Sequence, residues 1–368
     1  TYQIERIGFL GKDARGETWL GDIVAQEDNQ PIHIEADSLS RLPENPGGSP
    51  FQLIVPLTYE AYPKEIDWSK PRGCQSLQSL AEPPEGDWKI PQLHSELPIY
   101  ALAEIGDNKH LMILDKTRKS DVAYNRLYFD ENSNGDLTDD SERIVENPEE
   151  YHPGNFDLNF GLTDLEYSQE GKELPFRLLL SAYVYRPEER QFKSWPLEQK
   201  LNMTRIRLQS MCSYGGRIEI NGMPITTALP DTDVNGFFGE AFSLNENQRP
   251  DSIPLYSSGD RLYMAKGSRV DYGNDMFFPH RLVIKDDVFD CQADIPAGRL
   301  YLSPVTGKMA KARLPLETEK ISLCTSEDKK AIGYWFPEES IPLPAGEYQI
   351  LYYRLSKDDA KDATWKLE

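Results

Sequence analysis

The sequence predicts a mainly β protein of antiparallel sheets and β-sandwich units, with long loops and little helix. Short runs of apolar, aromatic and β-branched residues recur throughout the 368 residues, and such runs are typical of strands. The 25 glycines and 27 prolines separate these runs, and both residues favour turns. Runs such as 205–208 and 217–220 alternate apolar and charged residues. That alternation indicates antiparallel strands with one buried and one solvated face.

The strand-length runs fall at twelve places. We predict strands at 98–105, 110–115, 124–129, 176–185, 204–209, 217–221, 224–229, 261–266, 281–285, 299–303, 332–336 and 348–354. The stretch 43–97 is rich in Pro, Gly, Ser and Glu, which predicts irregular surface loops with one short helix near 76–81. A second turn-rich stretch, 142–173, predicts a break between domains.

The length of the chain is sufficient for two or three domains, each with its own core. We predict an N-terminal β domain at 1–150 with long loops, a second β domain at 151–287, and a C-terminal β-sandwich-like domain at 288–368.

The charge of the chain argues against nucleic acid and membrane as partners. There are 61 acidic and 40 basic residues, a net charge of −21 and a pI near 4.7, so the surface repels phosphate backbones and anionic lipids. No apolar run approaches the roughly 18–20 residues that cross a bilayer, so no membrane insertion is expected. The excess of carboxylates suits divalent cations, and it equally suits an acidic coat that keeps a protein dispersed.

The start of the sequence and its cysteines bear on location. The chain starts at Thr1 without a basic and apolar leader, which fits a mature protein exported to the periplasm, cell surface or medium. A trimmed sequence would look the same.

The four cysteines form no CxxC pair, so they are either disulfides or buried thiols, and a Cys291–Cys324 bridge is possible in an oxidising compartment.

The strongest motif is an oxygen-rich loop at 130–142, which we call the first loop. Its candidate metal ligands are Asp130, Asn132, Asn134, Asp136, Asp139, Asp140 and Glu142. Oxygen side chains at positions 1, 3 and 5 can meet at one cation only if the chain bends sharply, and Gly135 at position 6 permits that bend. The backbone carbonyl of Asp136 would supply position 7, and Leu137 at position 8 would turn inward to the core. This spacing predicts a calcium site of EF-hand-like type.

The first loop departs from an EF-hand at position 12, where Ser141 replaces the usual glutamate. The segment before it, 124–129, is short and aromatic-rich, as a strand would be. We therefore predict a loop that follows a strand rather than a helix.

A second loop at 231–240 repeats the pattern. Its candidate ligands are Asp231, Asp233, Asn235 and Glu240. Gly236 matches Gly135 and Phe238 matches Leu137, while Glu240 and Asp139 share position 10, which suggests that the tenth residue replaces the missing twelfth ligand. For both loops the alternative is an Asx-rich turn, whose side chains bind only their own backbone.

These residues carry a resemblance. The segment 99–140, with Leu127-Tyr128-Phe129-Asp130 and Asn134-Gly135-Asp136-Leu137, resembles uncharacterised exported bacterial proteins with LYxDxNxNGDLTDD motifs, and the first loop is similar to dockerin and EF-hand-like loops. The resemblance implies calcium binding and export, and no catalytic residue. Residues 341–350 resemble the last strands of prealbumin-like and carboxypeptidase-regulatory-like β-sandwiches, which implies an accessory sandwich after about residue 287.

Catalytic signatures are missing from the sequence. The five histidines form no HExxH motif, and there is no GxSxG elbow, P-loop or Rossmann fingerprint. We therefore expect a calcium-binding structural or adhesive protein of the cell surface or periplasm, in which case self-association as an assembly subunit is also open. The alternative is a polysaccharide-binding or polysaccharide-degrading protein whose 43–97 loops wall a cleft and whose carboxylate pair is defined only in space.

Overall fold

The protein is mainly β in its computed structural model, as predicted. The described residues are 6–12, 18–24, 32–34, 53–63, 70, 72–185, 189–220, 223–242, 259–266, 275–284, 287–305, 309–313, 318–325, 330–335, 340–344, 346–358 and 364–367. Within these ranges the only helices are two short ones, α1 (Glu189–Ser194) and α2 (Leu197–Asn202).

The strands follow one another along the whole chain. In chain order they are β1 (Arg6–Lys12), β2 (Thr18–Val24), β3 (Ile32–Ile34), β4 (Leu53–Pro56), β5 (Thr58–Ala61), β6 (Cys74–Ser76), β7 (Ile99–Ile105), β8 (Asn108–Asp115), β9 (Arg126–Phe129), β10 (Arg143–Ile144), β11 (Glu150–His152), β12 (Asn155–Gln169), β13 (Lys172–Tyr185), β14 (Thr204–Ser210), β15 (Cys212–Ile220), β16 (Met223–Leu229), β17 (Arg261–Lys266), β18 (Asp275–Phe277), β19 (Arg281–Ile284), β20 (Asp287–Asp294), β21 (Arg299–Pro304), β22 (Met309–Arg313), β23 (Thr318–Thr325), β24 (Ala331–Trp335), β25 (Ser340–Pro344), β26 (Gly346–Asp358) and β27 (Thr364–Leu367).

The chain forms two compact units. The first comprises Thr1–Leu57, Gly216–Ala228 and Gly239–Glu368. Its largest sheet runs in the order β27-β26-β23-β24-β19-β20-β21-β4, with β3 paired to β26. This sheet is antiparallel except for the parallel pair β19–β24. Two-stranded sheets β1-β2 and β22-β25 and the run β16-β17-β18 complete the unit.

The second unit comprises Thr58–Gly215 and Leu229–Phe238. One sheet has the order β10-β9-β8-β7 and another the order β11-β12-β13-β14-β6, and both are antiparallel. The strand β8 is buried from His110 to Asp115, because side chains pack on both of its faces. The three-domain division at residues 150 and 287 stays a prediction.

All twelve predicted strands are present, with ends shifted by a few residues. Residues 221, 285 and 336 of those predictions lie outside the described ranges. The turn-rich stretch 142–173, predicted as a break between domains, contains β10, β11 and β12, and β12 pairs with β13 along its whole length. The alternate burial of Phe156, Leu158 and Phe160 shows that this strand has the period of two typical of strands with one buried face.

The predicted helix near 76–81 is also wrong. After β6 the chain runs beside two strands, where the Leu77 N–H donates to the Ile206 carbonyl and Leu80 exchanges two hydrogen bonds with Tyr100. These neighbouring strands satisfy backbone groups that a helix would otherwise pair internally. Of the predicted loop region 43–97, residues 43–52, 64–69 and 71 lie outside the described ranges.

All four cysteines are free thiols, so the possible Cys291–Cys324 bridge is not formed. Cys291 lies on β20 and Cys324 on β23, three strands apart in the sheet order. At about 4.8 Å per strand this separates them by about 14 Å, whereas a disulfide needs Cα atoms within roughly 7 Å. Both are buried, as is Cys212.

No helix in the described part of the chain is long and apolar enough to span a bilayer.

Candidate metal centres

Each oxygen-rich loop follows a strand, as predicted. The first loop begins directly after β9 and ends at β10, and the second begins two residues after β16. Neither loop is flanked by a helix within the described ranges. The strand-led form inferred from the aromatic segment before Asp130 is therefore confirmed.

The two loops share an unusual backbone conformation. The residue at position 4 has a positive φ in both, 55° at Ser133 and 60° at Val234. The glycine at position 6 has a φ of 82° at Gly135 and 87° at Gly236. A positive φ is uncommon for a non-glycine residue and strained for a β-branched one such as Val234. The same bend at the same two positions shows that the loops, aligned from sequence alone, are equivalent in structure.

The first aspartate of each loop organises that bend. Asp130 is fully buried; its Oδ1 accepts the N–H of Asn134 and its Oδ2 the N–H of Gly135, each at 3.1 Å. Asp231 is also fully buried and accepts the N–H groups of the same two positions, at 3.2 and 2.6 Å. It accepts a third N–H, from Val234, at 2.6 Å. Each carboxylate thus replaces water for the amides of its own turn.

Position 8 anchors both loops, as predicted for Leu137. Leu137 is 1% exposed and packs with Tyr100, Leu111, Ile113 and Tyr128. Its N–H donates to the Lys89 carbonyl at 3.0 Å, while the Lys89 N–H donates to the Gly135 carbonyl at 2.8 Å.

Phe238, at position 8 of the second loop, is also buried. Its ring packs in T-shaped geometry against two aromatic neighbours. The ring centroid lies 5.5 Å from that of Phe176 and 4.9 Å from that of Tyr214. Apolar packing of the position-8 side chain therefore fixes the position of each loop.

The remaining candidates of the first loop divide into two groups. Asn132, Asn134 and Asp139 are exposed, and the side-chain amide of Asn134 donates to Asp139 at 2.9 Å. Asp136 and Glu142 instead form ion pairs. The Asp136 carboxylate binds Lys89 at 2.5 Å and the Glu142 carboxylate binds Arg126 at 3.2 Å. Asp136 is left with its backbone carbonyl for a cation, which was its predicted contribution.

Asp140 carries a carboxylate oxygen without a partner. The residue is half-buried, and its Oδ2 has no hydrogen-bond partner. Burial raises its pKa to about 6; a backbone hydrogen bond from Glu131 opposes this rise, and the negative charges of Asp130, Asp139 and Glu131 add to it. A cation placed among these carboxylates would remove the repulsion, so Asp140 fits the role of closing ligand at position 11.

The second loop brings two carboxylates together. Oxygens of Asp231 and Asp233 lie within 4.8 Å of one another. Asp260 is fully buried, and its Oδ2 accepts the N–H groups of Gly239 at 2.6 Å and Glu240 at 3.2 Å. Glu240 itself is exposed. Asp260, which sequence reasoning did not identify, therefore holds the backbone at positions 9 and 10 of the second loop.

The donor set of both loops fits a hard cation. The candidate ligands of both loops are all carboxylates and amides, which supply the oxygen atoms that calcium and magnesium bind. The Asx-turn hydrogen bonds of the alternative interpretation are present as well, since Asp130, Asn132 and Asn134 all accept backbone N–H groups. Those bonds alone leave the Asp140 Oδ2 without a partner.

The raised pKa of Asp140 predicts that removing its charge stabilises the metal-free protein. Its folded pKa of about 6 lies above the ordinary 3.8, so ionising Asp140 costs stability as pH rises through this interval. We expect Asp140→Asn to stabilise the metal-free protein at pH 7 by about 1 kcal/mol, a value reduced for solvent screening, and to give no gain below pH 3.8. Denaturant titration in EDTA at both pH values measures this. Glu146→Gln, at an exposed carboxylate outside the first loop, serves as control, and a loss of stability in Asp140→Asn at pH 7 would contradict the assignment.

No protein family, curated protein or solved structure matches this chain significantly.

Proposed function

We propose that this protein is an exported calcium-binding structural or adhesive protein, in which ions bound at the two loops hold the β framework rigid. The observation that carries the proposal is the shared geometry of the loops. Both have left-handed residues at positions 4 and 6, a fully buried aspartate at position 1 and a buried apolar residue at position 8. The repetition of this strained bend in two segments 101 residues apart supports a common role for the two loops.

Calcium is the cation that the donor set favours. Calcium takes six to eight oxygens in flexible geometry, whereas magnesium demands a near-ideal octahedron and keeps several waters. Loops that combine carboxylates, side-chain amides and a backbone carbonyl suit calcium better than magnesium. No cysteine or histidine is among the candidate ligands, which argues against zinc and copper.

The charge of each loop sets the expected affinity. Two of the candidate ligands in the first loop, Asn132 and Asn134, are neutral amides, and Ser141 stands at position 12 in place of the usual bidentate glutamate. Weak calcium sites of this kind have a Kd of about 10⁻⁵ to 10⁻³ M. Kd values of about 10⁻⁴ to 10⁻³ M are typical of extracellular modules. An affinity in the extracellular part of this range is what we expect of an exported protein. An antibody against the chain is expected to label the periplasmic, surface or secreted fraction, and purely cytoplasmic labelling would contradict export.

Calcium should therefore stabilise the folded chain. At a free concentration a hundred times the Kd, one site adds about 2.7 kcal/mol to the free energy of unfolding. We expect thermal and chemical denaturation of the metal-stripped protein to show this gain with calcium and a smaller one with equal magnesium. Asp130→Asn, which keeps one side-chain oxygen as an acceptor, should lose the part of the gain that belongs to the first loop. An unchanged stability at millimolar calcium would overturn the proposal.

A further inference from the structure

The β7–β8 hairpin contacts both loops near its turn. This turn consists of Gly106 and Asp107, because Ile105 and Asn108 are the last pair in the strand register. On one side the Gly106 N–H donates to the Asn235 carbonyl, at position 5 of the second loop, at 2.6 Å. The approach is close enough that a Cβ on Gly236 would lie 2.4 Å from the Gly106 nitrogen.

The first loop binds the start of β8, directly after this turn. The Ser133 hydroxyl, at position 4, donates to the Lys109 carbonyl at 2.8 Å and accepts the Lys109 N–H at 3.2 Å. Ser133 is the residue whose φ of 55° makes the bend of the first loop. A single hydroxyl therefore ties that bend to both backbone groups of one residue in the hairpin.

From these contacts we infer that the two calcium sites bind cooperatively, coupled through the β7–β8 turn. The inference rests on the proposed function. Gly106 and Lys109 belong to one short hairpin end, so ordering either loop around an ion also orders the turn. The second loop to bind then loses less conformational entropy, which is the thermodynamic origin of positive cooperativity without a large structural change.

The expected coupling follows from typical values. Coupling between two ligand sites usually changes affinity by 5- to 150-fold. We expect at least about a fivefold effect here. Because coupling is reciprocal, the presence of calcium in either loop raises the affinity of the other by the same factor.

The test is calorimetric titration of the metal-stripped full chain with calcium chloride. Asp130→Asn reports the second loop alone and Asp231→Asn the first loop alone. The coupling factor is the product of the two association constants of the unaltered chain divided by the product of the two single-loop constants. If either variant does not fold, Asn132→Ala and Asp233→Ala, at the less buried third positions, take their places.

Ser133→Gly tests the coupling through the hairpin without removing a calcium ligand. Glycine keeps the positive φ and removes the hydroxyl, so two ions should still bind while the coupling factor falls to about one. Ser120→Gly, at an exposed serine away from both loops, should leave the factor unchanged. Two ions bound independently by the unaltered chain, or a factor unaffected by Ser133→Gly, would overturn the coupling and leave the proposed function standing. No calcium binding at all would overturn both.

Discussion

Asp231→Ala is expected to lower the free energy of unfolding in EDTA by about 3–5 kcal/mol. The Asp231 carboxylate is fully buried and accepts three backbone N–H groups, from Val234, Asn235 and Gly236. Alanine leaves these donors without an acceptor in a turn that already holds Val234 at a strained φ. A buried donor left unsatisfied costs about 1–3 kcal/mol. The loop should therefore loosen, and its calcium site should be lost with it.

The control for this change lies two residues away. The Asp233 carboxylate lies within 4.8 Å of the Asp231 carboxylate. Asp233, however, is only half-buried. Asp233→Ala should leave stability in EDTA within about 1 kcal/mol of the unaltered chain, yet remove much of the calcium-dependent gain of the second loop. Urea titration with and without calcium distinguishes the two roles. Equal stability of Asp231→Ala and the unaltered chain in EDTA would show that the buried aspartate does not organise the turn.

Gly236→Ala is expected to produce a loss of similar size, about 3 kcal/mol or more. The left-handed conformation costs an L-residue roughly 1–2 kcal/mol, and here φ is 87°. The added Cβ would also lie 2.4 Å from the Gly106 nitrogen and 3.0 Å from the Ile105 carbonyl carbon. These are backbone atoms of a hydrogen-bonded hairpin, which cannot rotate away as a side chain would. The second loop and the β7–β8 turn must separate to admit the methyl group.

Gly161 offers a matched control, because its φ is 88° and a Cβ there would meet nothing within 4 Å. Gly161→Ala should carry only the conformational cost, about 1–2 kcal/mol. The difference between the two variants in denaturant titration measures the close approach of the second loop to the turn. If both variants lose the same stability, the loop does not pack on the turn as described.

The elements that the sequence predicts well are those determined by local pattern. Strands of period two, such as β14 and the 217–220 part of β15, follow directly from which residues alternate. The bends of the two loops follow from oxygen side chains at alternate positions and from Gly135 and Gly236, since only a sharp turn brings those side chains together. The burial of Leu137 follows from its being the one aliphatic residue in a polar stretch.

The elements that the sequence does not predict depend on tertiary contacts. Asp260 lies 20 residues beyond Glu240, and its approach to the second loop depends on the hydrogen bonds it accepts from that loop's backbone. The only local signal is an aspartate directly before the β17 strand. The importance of Asp140 similarly depends on which carboxylates surround it, which spacing alone does not give. The β12 strand was missed because the turn residues before it hid the alternation of Phe156 and Leu158.

The central claim is that both loops bind calcium, and the stoichiometry of binding tests it most directly. Calorimetric titration of the metal-stripped chain with calcium chloride should show two ions bound per chain, falling to one in Asp130→Asn and one in Asp231→Asn. An absence of binding heat at every calcium concentration up to several millimolar, confirmed by equilibrium dialysis, would contradict the account.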